Sequence, residues 1–173
     1  MYVTFYPEYI KVANPRKPLR LNVGFLVNSP IGISRVFDFE ANRIPVGDDL
    51  VLADFAGMAK ISRTPQGLLI QGDFQGTIPM ECVRCLSEFS QNMHWEFTEL
   101  YAFKKENVTE SGLLIPDDAH IDLEPLVREY ALLEVPINPL CNPDCKGLCT
   151  ICGENRNEVD CGHGNHSDET PFS

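Results

Sequence analysis

The residues best suited to chemistry in this sequence are seven cysteines, and they fall in two regions. Two of them form the motif Cys82-Val-Arg-Cys85, and the other five stand near the C-terminus, where a histidine follows them. The C-terminal group consists of Cys141, Cys145, Cys149, Cys152, Cys161 and His163. Thiolates and imidazoles at such short spacings are typical ligands of structural Zn²⁺. The pattern predicts metal binding that involves both regions.

Other uses of the cysteines explain the pattern less well. An odd number of cysteines cannot be fully paired in disulfides. A redox Cys-x-x-Cys motif needs a helix after it, whereas the residues that follow Cys85 alternate like a strand. Seven cysteines and His163 make eight ligands, which is enough for two closed four-coordinate sites. Zinc, as two ions, is therefore favoured over an iron–sulfur cluster or free thiols, which stay open as alternatives.

The eight ligands can be divided between two ions in more than one way. The preferred partition joins Cys82 and Cys85 to Cys141 and Cys145, and it leaves Cys149, Cys152, Cys161 and His163 for the second ion. The second set is favoured because it is a compact loop that closes locally. The alternative pairs Cys82 and Cys85 with Cys149 and Cys152, like the two halves of a zinc ribbon. Spacing alone leaves both partitions open.

Composition limits the class of protein and its partners. A chain of 173 residues, 43% hydrophobic and 23% charged, is typical of a globular domain with its own core. The net charge of −11 argues against DNA binding and against any general neutralisation of phosphates. Direct RNA contact would need a local basic patch, for which Lys11, Arg16, Lys17 and Arg20 are candidates, although a solvated arm explains them more simply.

The N-terminal residues and the hydropathy pattern bear on the compartment. The apolar runs are too short to span a membrane. Residues 1–17 contain Pro7 and Pro15 and lack the basic-then-apolar order of a secretion signal. We therefore expect a reducing, cytoplasmic location and no membrane partner.

The elements that must position the cysteines are mainly strands. Period-two patterns predict strands over residues 34–40, 51–62, 68–78 and 87–103. Gly57 is interpreted as a bulge, and residues 45–49 as a loop. Residues 22–28 fit either a helix or a strand, because Gly24 is compatible with both. The Cys82–Cys85 motif then lies at the turn of a hairpin within an antiparallel meander.

A single helix is predicted over residues 121–134, after a mobile loop at residues 104–119. Asp122 is its expected N-cap. Helical spacing predicts a buried face that packs on the sheet, formed by Leu123, Leu126, Val127, Tyr130 and Leu133. The fold class is therefore α+β, an antiparallel meander or open barrel-like sheet with one packed C-terminal helix and a zinc-binding C-terminal segment.

The same patterns divide the chain into four parts. We expect a flexible N-terminal arm at residues 1–18 and an α+β core at residues 19–140 that includes the Cys82–Cys85 motif. A zinc-binding segment follows at residues 141–163, and a disordered tail at residues 164–173.

The order of these features resembles the YceD family of large ribosomal RNA subunit accumulation proteins. The resemblance covers residues 19–163 and rests on three stretches of sequence. These are Cys82-Val-Arg-Cys85-Leu86, then Leu133-Glu-Val-Pro136, and then Pro139-Leu-Cys141-x3-Cys145-Lys-Gly-Leu-Cys149-x2-Cys152-Gly153. The sequence departs from the family pattern at Thr150, where proline is usual, and in the segment Glu154-Asn-Arg-Asn157. His163 also replaces a cysteine, which weakens the second metal site.

The resemblance implies a non-enzymatic factor in ribosome biogenesis. Its partners would be ribosomal RNA or ribosome-assembly proteins, and it would support synthesis, processing or stability of large-subunit ribosomal RNA. Arg84 and Lys146 are candidate polar contacts, although solvated charges explain them more simply. The alternatives are a structural zinc-binding interaction module without RNA contact and, less favoured, a zinc-dependent enzyme. A catalytic zinc needs an open coordination position, and eight ligands for two ions leave none.

Overall fold

The computed structural model describes residues 17–163, which form parts of two compact units. Among the described residues, the first unit comprises residues 17–78 and 92–135, and the second comprises residues 79–91 and 136–163. Most of the expected N-terminal arm and the whole expected C-terminal tail lie outside the described residues. No helix within residues 17–163 is long and apolar enough to cross a membrane.

Strands make up most of the regular structure. The described chain contains strands β1 (Arg20–Asn22), β2 (Ser34–Val46), β3 (Leu50–Arg63), β4 (Gly67–Glu81), β5 (Glu88–Ala102) and β6 (His120–Asp122), helices α1 (Gly24–Val27) and α2 (Glu124–Glu134), and a 3₁₀ turn at Lys105–Asn107. The four long strands form one sheet in the order β2-β3-β4-β5, and β1 pairs with β6. The predicted meander is confirmed. The sheet is open among the described residues, with β2 and β5 at its edges, and it does not close into a barrel.

Strand β2 is longer than its pattern suggests. It continues to Val46, and Pro45 lies opposite Val51, although residues 45–49 were expected to form a loop. Proline cannot donate a ladder hydrogen bond, which restricts it to edge strands or bulges. Because β2 is an edge strand, Pro45 can be accommodated there without interrupting the sheet.

The β-bulge of strand β3 lies elsewhere than expected. The register shifts between Ala53 and Ala56, and Asp54 there has a φ of 48°. Gly57 is instead in regular pairing opposite Phe74. A Cβ at Gly57 would lie 2.6 Å from the Phe74 ring, so this glycine permits close packing and does not form the bulge.

The core of the first unit lies on one face of the sheet. Alternate residues of β5 are buried there, as period two predicted: Met93, Trp95, Phe97 and Tyr101. The rings of Phe55 and Phe74 stack at 5.5 Å, and Tyr130 of α2 stacks on Phe97 at 5.1 Å. Aromatic pairs at these separations contribute about 0.5–1.5 kcal/mol beyond their buried area.

Helix α2 differs from its prediction at its start and on its buried face. It begins at Glu124, because residues 120–122 pair with β1. The N-cap residue is Leu123, so the prediction of Asp122 as the N-cap is wrong. Asp122 Oδ1 nevertheless accepts the Glu124 N–H at 3.0 Å. Leu133 is 73% exposed, whereas Ala131 is buried, so the predicted face is wrong at its C-terminal end. Leucine is more hydrophobic than alanine, so the sequence pattern favoured Leu133 over Ala131 for the buried face.

Residues 22–28 and the predicted loop at residues 104–119 both contain regular structure. Residues 22–28 contain the end of β1 and the four-residue helix α1, so both interpretations of that segment are partly right. The predicted loop after β5 contains a 3₁₀ turn, and a bridge joins Ala102 to Leu114.

Candidate metal centres

The first group of thiols brings the turn between β4 and β5 to the C-terminal segment within the second unit. Cys85 Sγ lies 3.5 Å from Cys141 Sγ, and Cys82 Sγ lies 3.7 Å from Cys145 Sγ. All four sulfurs lie within 4.8 Å of one another. Four thiolates at Zn–S distances of about 2.3 Å in a tetrahedron would be about 3.8 Å apart. The spacing of the sulfurs therefore suits a tetrahedral ion.

Backbone hydrogen bonds shape the turn that carries Cys82 and Cys85. The Cys82 N–H donates to the Ser87 carbonyl and the Leu86 N–H to the Cys82 carbonyl, both at 2.9 Å. Leu86 has a φ of 58°, a left-handed conformation that is unfavourable for a leucine. This geometry turns both thiols to the same side and buries them, with Cys82 at 0% and Cys85 at 5% exposure.

Arg84 connects the turn to the C-terminal segment. Its guanidinium donates to the Cys145 carbonyl at 3.0 Å, and its own carbonyl accepts the Leu148 N–H at 3.0 Å. The segment passes close to Arg84 because Gly147 adopts a φ of +74°. A Cβ at Gly147 would lie 3.1 Å from the Arg84 carbonyl oxygen. Arg84, a candidate polar contact in the sequence, therefore has a structural role within the unit.

Electrostatics around the first group favour a bound cation. Burial opposes ionisation of Cys82, but backbone N–H groups, beginning with that of Cys141, lower the pKa of its thiol to about 6. The Ser87 hydroxyl lowers the pKa of Cys85 as well. The neighbouring Cys85 sulfur, together with burial, raises the pKa of Cys141 to about 12. Without a cation the group can thus ionise only in part, and a divalent ion would allow all four thiols to become thiolates.

The second group is more exposed. The ligand atoms of Cys149, Cys152, Cys161 and His163 lie within 4.8 Å of one another. Cys149 Sγ is 3.8 Å from His163 Nδ1. Only Cys149 is buried. Backbone N–H groups of Cys152 and Ile151 lower the pKa of Cys149 to about 6.

The eight predicted side chains thus fall into two groups of four. Their membership coincides with the preferred partition, and Cys82 and Cys85 are not grouped with Cys149 and Cys152. Sequence reasoning missed Asn157, whose Nδ2 donates to Cys145 Sγ at 3.3 Å and whose Oδ1 accepts the Lys146 N–H at 2.8 Å. No spacing rule could have identified this contact. Binding of zinc itself stays a prediction.

The basic residues near the N-terminus are partly neutralised. Arg20 forms a 2.6 Å ion pair with Asp118, and Lys17 lies 3.9 Å from Asp122. Lys11 and Arg16 lie outside the described residues. The described part of this stretch therefore offers little free positive charge to a phosphate backbone.

An antiparallel sheet with a cysteine-bearing hairpin turn, followed by a helix and a cysteine-rich segment, defines a small α+β protein with candidate metal centres. The family model described as "Large ribosomal RNA subunit accumulation protein YceD" matches residues 70–173. The chain therefore belongs to the YceD family. The matched region contains all eight predicted ligands.

Individual proteins are also similar to this chain in sequence. An uncharacterized protein of Mycobacterium tuberculosis is 27% identical over 146 residues, which cover 79% of this chain and 70% of the relative. The protein of Zea mays named large ribosomal RNA subunit accumulation protein YCED homolog 1, chloroplastic, is 45% identical over 40 residues, 23% of this chain and 14% of the relative. The Arabidopsis thaliana protein of the same name is 37% identical over 49 residues, which cover 28% of this chain and 15% of the relative. No solved structure matches the chain.

Proposed function

We propose that this protein supports the accumulation of large-subunit ribosomal RNA as a non-enzymatic factor whose second unit is stabilised by two Zn²⁺ ions. The observation that carries the proposal is the YceD family match over residues 70–173, which includes both candidate metal centres. The family's description links it to large ribosomal RNA subunit accumulation.

The donor sets support a structural role for zinc. The first group offers four thiols and the second offers three thiols and an imidazole, which are the ligand sets of closed structural zinc sites. Zinc in such a site contributes directly to the free energy of folding. A catalytic zinc keeps one position open for water, and four protein ligands at each centre argue against that use.

The acidity of the chain favours action through protein partners. With a net charge of −11, a nonspecific approach to RNA would be opposed by repulsion from the phosphates. Ribosome-assembly proteins are therefore the favoured partners, in the cytoplasm, and direct RNA contact is the second option. A module that binds proteins without any connection to ribosomal RNA is the competing function.

Depletion of the protein in cells that encode it tests the role in ribosomal RNA accumulation. We expect sedimentation of extracts to show fewer large ribosomal subunits relative to small ones, and the wild-type gene to restore the ratio. An unchanged ratio after complete depletion would count against the proposal.

A second experiment separates the two classes of partner. Ultraviolet crosslinking records direct contact with RNA, whereas chemical crosslinking followed by mass spectrometry records proteins. We expect ribosome-assembly proteins in the second experiment. Specific crosslinks to large-subunit ribosomal RNA would instead assign a direct RNA contact. Crosslinks only to proteins unrelated to the ribosome would favour the competing function.

A further inference from the structure

Three polar side chains on the exposed face of the sheet in the first unit converge on one point. Asp73 lies on β4, and His94 and Glu96 lie on β5. Their ligand atoms lie within 4.8 Å of one another, and His94 Nε2 is 2.9 Å from Asp73 Oδ1. We propose that this Asp73–His94–Glu96 triad is a binding site for a divalent metal ion, separate from the cysteine centres.

The sheet itself fixes the position of these ligands. His94 and Glu96 are two residues apart on one strand, so their side chains leave the same face, while the residues between and beside them are buried, Met93, Trp95 and Phe97. Asp73 is flanked in the same way by the buried Gly72 and Phe74. Because both strands are anchored in the core, assembling the triad orders only side chains.

The ion pair between His94 and Asp73 does not explain why Glu96 also lies close to them. Glu96 adds a second carboxylate within 4.8 Å of the first, and two like charges on neighbouring strands repel each other. A divalent cation between the oxygens would turn that repulsion into attraction. The side chains of His94 and Asp73 are 57% and 49% exposed, so an ion could enter from solvent.

The chemistry of the triad specifies the class of ion. One imidazole and two carboxylates suit divalent ions of intermediate hardness, such as Mn²⁺, Fe²⁺ or Zn²⁺. Three protein ligands leave further positions of an octahedral ion open to water. An open groove of about 250 Å³ adjoins the triad and is lined by Asp73, Asp38, Met58 and Gln75. Asp73 is the triad member that lines this groove, and Asp38 adds negative charge to the same groove.

The test uses Mn²⁺ on the full chain whose cysteine centres are first filled with zinc. Mn²⁺ binds thiolates weakly and carboxylates well, so it separates the triad from the cysteine centres. We expect one Mn²⁺ to bind per chain at submillimolar concentration, with paramagnetic broadening of the NMR signals of Asp73, His94 and Glu96. The variant Glu96→Gln, on an exposed position, should keep its fold and weaken binding at least about tenfold.

A matched control is the variant His120→Gln. His120 also contacts a carboxylate, with Nδ1 3.7 Å from Asp118 Oδ2. No third ligand joins this pair among the described residues, so the variant should bind Mn²⁺ like the wild type. The proposal is overturned if no broadening appears around His94, if Glu96→Gln binds Mn²⁺ unchanged, or if His120→Gln loses the same affinity.

Discussion

Cys85 Sγ and Cys141 Sγ lie 3.5 Å apart although 56 residues separate them in the chain. Holding two distant points of a chain together costs conformational entropy that rises with the length of the loop. Backbone hydrogen bonds help to hold the two segments together, such as the 3.0 Å bond from the Val83 N–H to the Pro139 carbonyl. A shared metal ion would add the larger favourable contribution.

The stoichiometry and the partition of zinc can be measured together. We expect two zinc ions per chain by elemental analysis of protein purified under reducing conditions. Cys161→Ser should retain one ion, because Cys161 belongs to the exposed second group. Cys145→Ser should also lose one ion but destabilise the second unit by several kcal/mol, because Cys145 is 3% exposed and contacts Cys82.

Hydrogen exchange of residues 79–91 and 136–163 distinguishes these two variants. Equal loss of protection in both would contradict the assignment of separate roles to the two groups. Retention of both ions in Cys145→Ser would contradict zinc binding by the first group.

Gly147→Ala should weaken the contact between the hairpin turn and the C-terminal segment. The residue has a φ of +74°, and an added Cβ would be 3.1 Å from the Arg84 carbonyl oxygen. Gly153→Ala is the matched control, because Gly153 has a φ of +78° with open space around it. Both variants carry the backbone penalty of about 1–2 kcal/mol. Chemical denaturation should show Gly147→Ala to be the less stable, and equal stabilities would mean that the close approach costs nothing.

Gly57→Ala should damage the core of the first unit. An added Cβ would lie 2.4 Å from the Asp73 carbonyl oxygen, which belongs to backbone and cannot move aside easily. We expect a loss of about 3 kcal/mol in the free energy of unfolding measured in urea. Gly76→Ala on strand β4 is the control, since its nearest contact would be 3.4 Å. A loss equal to that of the control would contradict the packing role of Gly57.

Tyr130 should contribute a pH-dependent term to stability. Its hydroxyl donates to Glu99 Oε1 at 2.7 Å, and this bond to a carboxylate raises the pKa of Tyr130 to about 12. A raised pKa means that the stabilisation is complete below the ordinary value of about 10 and is lost as the pH rises from there to about 12.

The variant Tyr130→Phe tests this dependence. It should be less stable than the wild type by about 1 kcal/mol at pH 8, and the difference should shrink between about pH 10 and 12. Denaturation across this range measures the difference, and absorbance at 295 nm follows tyrosinate formation. A difference that stays constant with pH would contradict the pH-dependent contribution of the hydroxyl, and no difference at any pH would show that only the ring of Tyr130 stabilises the protein.

The sequence by itself determined the ligand types, the strands and the existence of helix α2. These features follow from local patterns, because alternation and helical spacing record which side of an element faces the core. The Cys82–Cys85 motif was assigned to a hairpin turn for the same reason, since strand patterns flank it on both sides.

Tertiary structure decided which distant residues meet. The division of the cysteines into two groups, the contact of Asn157 with Cys145 and the Asp73–His94–Glu96 triad depend on how segments far apart in the chain are brought together. Local patterns carry no information about such distances. The sequence placed the bulge at Gly57, whereas the structure has it between Ala53 and Ala56. Close packing against Phe74, and not a local backbone preference, accounts for the glycine at position 57.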